Sequence, residues 1–156
     1  MISLTQFKRW VTVIAASVIL ASACGTALAQ NVKAQPDNAL ALRHIMQDLD
    51  KNTQAISHGI EEKDWPLVAK LAALIADHPT PPLGEKVRIL TYLGTDALAF
   101  RGLDKDAQAA ATAIQKAADK EDGPGVIAAF GKMQAACMAC HNSYRAPFLQ
   151  HFYGKQ

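Results

Sequence analysis

Residues 122–148 read DGPGVIAAFGKMQAACMACHNSYRAPF. Asp122, Gly123, Pro124 and Gly125 form a turn and a helix cap. Beyond them Val126, Ile127, Phe130, Met133, Cys137, Cys140, Tyr144 and Phe148 recur at the spacing of a helix. The stretch is therefore a helix with an apolar side, and that side carries two cysteines three residues apart.

The chain before it repeats the pattern. A first helix is predicted from Pro36 or Asp37 through Leu40, Ile45, Met46, Leu49, Thr53 and Ile56, weakening at Gly59. Asp64 is a good N-cap and Pro66 sits where a missing N–H costs nothing. A second helix over 65–77 thus presents Leu67, Val68, Leu71, Leu74 and Ile75 and is ended by Pro79, Pro81 and Pro82. From Glu85 to about Ala118 one stripe runs through Val87, Leu90, Gly94, Ala97, Phe100, Leu103, Ala107, Ala110, Ile114 and Ala117, with Gly94 and Gly102 as candidate breaks. The Ala-rich run 107–118 lacks Gly and Ser and reads as a close-packed helix face rather than a linker. Four helices with short connections predict an all-α, antiparallel four-helix bundle.

At the N-terminus, Lys8 and Arg9 precede an apolar stretch from Trp10 to Leu20, and small residues follow up to Ala27, Leu28 and Ala29. This is the pattern of an export signal with cleavage after Ala29, giving a removed segment 1–29 and a domain 30–156. The alternatives are a retained membrane helix, for which the apolar stretch is short, and lipidation at Cys24 after Ala21, Ser22 and Ala23. Cleavage after Ala29 removes Cys24, so Cys137 and Cys140 are the only cysteines left and no odd thiol remains. It also removes Lys8 and Arg9 from the 16 basic residues, leaving 14 against 14 acidic ones. A formally neutral chain gives nucleic-acid binding no electrostatic support.

Cys137, Met138, Ala139, Cys140 and His141 form the pattern through which haem vinyl groups are joined to two thiols as thioethers. Cysteines three apart lie on one side of a helix and reach two edges of a porphyrin, and the following histidine comes under the iron as a proximal ligand. The competing readings are a redox pair, half of a zinc site or a disulfide. The first asks for a βαβ unit and the second for another pair of ligands at matching spacing, and the sequence has neither.

With this motif near the end of a fourth helix, Tyr144 and Arg145 after it, and Met46 in the segment Ile45, Met46, Gln47, Asp48, Leu49 of the first helix, the sequence resembles the cytochrome c′ family. The resemblance implies one covalently bound haem c held by Cys137, Cys140 and His141. It places Arg145 beside the proximal imidazole, one helical turn after His141, and Met46 at the distal face of the iron. The family contains two outcomes there. Met46 bound to iron implies a six-coordinate, low-spin electron carrier, whereas an unbound Met46 implies a five-coordinate form that binds NO or CO. Either form implies a periplasmic protein that is not an enzyme, as no distal His–Arg pair or other catalytic constellation can be placed. The implied partners are redox proteins, and a homodimer through the first two helices is a further implication.

The remaining histidines have lesser roles on this reading. His44 and His58, the candidates for a bis-His haem, lie off the Met46 stripe and read as surface residues. His78 reads as a helix cap in a loop, and His151 lies too far from His141 to share its iron. Arg43, a candidate partner for a haem propionate, precedes Met46 by three residues where the family has four. Phe148, Leu149, Phe152 and Tyr153 are expected to cover the haem edge or a partner surface.

Overall fold

The computed structural model describes residues 40–154. The predicted export signal and lipidation site, and the start of the first helix at 36–39, lie outside them. The described residues form four helical columns and contain no strand. Helix α1 (Ala41–Glu62) and helix α2 (Trp65–Ala76) are the first two. Helix α3 (Leu83–Leu93) continues through a 3-10 turn (Gly94–Asp96) into α4 (Ala97–Ala118). Helix α5 (Gly123–Cys140) continues through a π-helical segment (His141–Arg145) into α6 (Ala146–Tyr153). Neighbouring columns pack α1 on α2, α2 on α4 and α4 on α5, whereas α1 meets α5 at only a few points. The predicted all-α four-helix bundle is the observed fold.

Two carboxylates start helices as their positions suggest. Asp64 accepts from Leu67 N at 3.0 Å and Asp122 from Gly125 N at 3.0 Å, each satisfying a backbone donor that has no partner inside its own helix. The first helix corrects the expectation at Gly59. It runs on to Glu62 and ends at Lys63, whose φ of 57° closes the last turn. Gly59 is buried, and a Cβ there would come within 2.9 Å of Val68 Cγ2. The residue permits a close approach of α1 and α2 and does not weaken the helix. Of the two candidate breaks in the third column only Gly94 is one. Its φ of 52° belongs to a glycine, and Gly102 lies inside α4.

Two apolar clusters hold the columns together. The first contains Ile56, Val68, Ala72, Ile75, Ala111, Ile114, Ala118, Val126 and Met133, with the Ala-rich face of α4 pressed into it. Each fully buried Val or Ile in this cluster contributes about 1.5–3 kcal/mol. The second, at the end of the bundle where α1 starts, contains Leu40, Ile89, Leu93 and Phe148, with Tyr92, Phe100, Tyr144, Phe152 and Tyr153 against them. Within it Phe100 stacks on Phe148 and Tyr92 meets Phe148 edge-on, with ring centroids 5.6 and 5.5 Å apart. Phe148, Phe152 and Tyr153 of the apolar tail thus pack against α3 and α4 of their own chain. Leu74, Val87 and Ile127, assigned to apolar stripes, are exposed, and Ala72 and Ile89 take inward positions instead.

Candidate cofactor site

The last turn of α5 ends on the two cysteines. Both are half-buried and neither is in a disulfide. Burial raises the Cys137 thiol above its ordinary value, and burial followed by the charge of Asp104 raises Cys140. Both sulfurs are therefore thiols rather than thiolates at neutral pH, unlike an activated redox pair. Among the described residues no group of three or more His, Cys, Asp or Glu side chains stands in a metal-holding arrangement, so Cys137 and Cys140 have no neighbouring pair with which to share zinc.

His141 is exposed and opens the π-helical segment. The local cause is legible two residues past that segment's last turn. Pro147 has no N–H to offer Ser143 O, and its ring would press on that carbonyl in a regular α-helix. The backbone widens upstream, and the Ser143 hydroxyl donates to Ala139 O at 3.1 Å. The widened turn closes at the fifth residue, so exposed Arg145 is offset from the place directly over His141 that an α-helix gives it. This departs from the predicted one-turn geometry.

Met46 is half-buried on α1, next to buried Ile45. It packs with neither apolar cluster, whereas Leu49, three residues on, packs with the first and Leu42, four residues back, with the second. The fourth column repeats this order in reverse. Cys137 packs against the first cluster, Tyr144 against the second, and Cys140 and His141 fall between them. Met46 on α1 and Cys140–His141 on the fourth column therefore occupy one layer of the bundle, between two helices that barely touch. This is the donor set and spacing that a planar group fixed by two thioethers and an imidazole requires, so the residues present fit a haem.

The other predicted candidates go elsewhere. His44 and His58 are exposed. Arg43 lies over the Tyr153 ring, 5.6 Å from its centroid, and His151 stacks on Tyr92 at 4.1 Å. His78 does not cap a helix. Its Nδ1 meets Pro79 O at 3.1 Å and its Nε2 meets Asp104 Oδ1 at 3.1 Å, which ties the loop after α2 to α4. Gln108 Nε2 donates to the other carboxylate oxygen at 2.9 Å. The Asp104 bond raises the His78 pKa above 6.5 against the opposing effect of burial. A surface depression lined by Val87, Arg88, Thr91, Tyr92, His151 and Phe152 includes none of the predicted site residues.

The sequence model of one protein family, described as Cytochrome C', matches residues 37–145. The chain belongs to the cytochrome c′ family. The match extends from just before α1 through the π-helical segment, and so includes Met46, both cysteines, His141 and Arg145. Membership makes the protein a c-type cytochrome and haem c its cofactor. Neither the curated proteins nor the solved structures compared with the chain gave a match.

Asp104 beside Cys140 was not anticipated in the sequence, nor was the set of contacts that hold the start of α1. Both join residues far apart in the chain, for which local spacing carries no signal. The π-helical segment does have a local signal in the sequence, Pro147.

Proposed function

We propose that this cytochrome c′ protein is a periplasmic electron carrier in which one haem, bound through Cys137 and Cys140, has His141 and Met46 as axial ligands. The observation that carries the reading is the shared layer. Met46 is inward-facing yet belongs to neither cluster, and it lies at the level of Cys140 and His141 on the facing column. The haem supplies reversible Fe(III)/Fe(II) exchange.

The chain's own residues prepare that exchange in three ways. Cys137 and Cys140, half-buried on the last turn of α5, would hold the haem through two thioethers. The clusters above and below the layer limit water around the cofactor, and a low-dielectric surround lowers the reorganisation that accompanies a change of charge. A thioether from Met46 would hold the distal side of the haem and would favour the reduced state relative to a second imidazole, which suits electron transfer to redox proteins. The inner side of α1 carries Ile45, Met46 and Leu49 and neither His44 nor His58, which supports Met46 over a bis-His arrangement.

Periplasmic location rests on the export signal ending at Ala29. No helix among the described residues is long and apolar enough to cross a membrane.

Replacing Met46 tests the ligand assignment. Met46→Ala is expected to lose the ferric sulfur-to-iron band, to turn high-spin when reduced, to gain CO binding and to lower the midpoint potential. An unchanged spectrum and potential in Met46→Ala would remove Met46 from the iron, and a high-spin, CO-binding spectrum in both proteins would leave a five-coordinate haem that binds NO or CO.

A further inference from the structure

The first turn of α1 is held in an unusual way. Leu40 occupies the N-cap position, and its side chain has no oxygen with which to accept the free N–H groups of the turn. Other columns supply the acceptors. Leu40 N donates to Tyr153 Oη at 3.1 Å, Ala41 N to Glu85 Oε2 at 2.6 Å and Leu42 N to Glu85 Oε1 at 2.8 Å. One carboxylate on α3 thus takes two successive backbone donors and places its charge at the positive end of the α1 dipole. Leu40 itself is 1% exposed and wedged into the second cluster.

The position of this clamp matters because of what α1 lacks. Facing the layer of Cys140 and His141, α1 meets α5 at only a few points, so direct packing there does little to set its height. Met46 lies four residues beyond Leu42, about 6 Å along the axis and on the same rigid helix. A shift of the first turn by part of a residue therefore carries Met46 by the same amount.

We propose that Glu85 is a positioning residue for the distal face: by clamping the Ala41 and Leu42 N–H groups it sets the height of Met46 opposite His141, and so determines whether the distal position is closed to diatomic ligands. This rests on Met46 facing the iron, as argued above. Glu85 acts through the first turn of α1, and Tyr153 acts as a second, weaker hold on the same turn.

The test uses the full holoprotein and three variants, read by ferric spectrum, by the rate of CO binding to the ferrous form and by thermal unfolding. Glu85→Ala is expected to weaken the sulfur-to-iron band and to raise the CO rate roughly tenfold, the scale of one lost charge-assisted hydrogen bond. Glu85→Gln, with one acceptor oxygen in place of two, should fall between it and the wild type. Val126→Ala, in the first cluster and away from the clamp, should lose stability without changing the CO rate. A CO rate in Glu85→Ala equal to that of the wild type overturns the proposal. So does a Val126→Ala protein of matched stability loss that opens to CO as readily, since Glu85 would then be merely structural. If the wild type already binds CO freely, the Met46 ligation reading fails by itself. The clamp still predicts a changed rate in Glu85→Ala, and an unchanged one overturns it as well.

Discussion

Met46 and Met133 are both thioethers on the inner sides of their helices, and what separates them is what each touches. Met133 is completely buried in the first cluster and does the work of any core residue, while Met46 packs with neither cluster. Periodicity marks both as inward and cannot tell them apart. Cys137, Cys140 and His141 stand out in the sequence because they are neighbours, so three letters at fixed spacing carry the expected chemistry without any help from the fold. The place of Arg145 was less so, because it depends on how many residues make a turn after Pro147 intervenes. His78 shows what local reading misses, since its partner Asp104 lies 26 positions away. That contact carries a prediction about pH. The folded pKa of His78 lies above 6.5, so its contribution to stability is fully present below the unfolded value and is lost as pH rises through the folded one. With Asp104 partly exposed, the contribution is about 1 kcal/mol or less. Denaturant unfolding of wild type and His78→Gln should therefore differ most below the ordinary histidine pKa and converge as pH rises through the raised folded value. A difference independent of pH would mean that the imidazolium contributes nothing.

At the scale of elements, glycine was the residue read least well. Gly59, Gly94 and Gly102 look alike in the sequence, yet one admits a neighbouring helix, one turns the chain and one does neither. The distinction needs the packing partner, which only the assembled bundle supplies. The two helical cases lead to opposite expectations. Gly59→Ala sets a Cβ against Val68 and should destabilise the protein by about 1–3 kcal/mol through forced separation of α1 and α2. A Cβ at Gly102 meets nothing within 4 Å, so Gly102→Ala should stabilise it by about 0.5–1 kcal/mol through helix propensity alone. Thermal unfolding of the two variants beside the wild type checks both, and equal shifts of one sign would contradict the packing described for α1 and α2. The apolar stripes were legible in number and direction but not in width. Leu74, Val87 and Ile127 lie at stripe edges where a small rotation of the helix decides exposure.

For the molecule as a whole, four columns were readable from turn residues and spacing, because each stripe must find another to bury itself. The division of the interior into two clusters was not readable, since the stripes of α1 and of the fourth column run through both and nothing in their spacing marks the boundary. It depends on contacts such as Tyr153 with Leu40, 113 positions apart, and Glu85 with Ala41 and Leu42. That division gives the bundle its function on this account: one cluster on each side of a layer, Met46 entering the layer from α1, and Cys140 and His141 entering it from the fourth column. The most direct test is the optical spectrum of the purified holoprotein, ferric and ferrous, with and without CO. A haem closed by Met46 should give a low-spin spectrum with a sulfur-to-iron band at the red end in the ferric form and no change on adding CO to the ferrous form. A high-spin ferrous spectrum that shifts with CO would contradict it and make the protein a gas-binding cytochrome c′ with an open distal face.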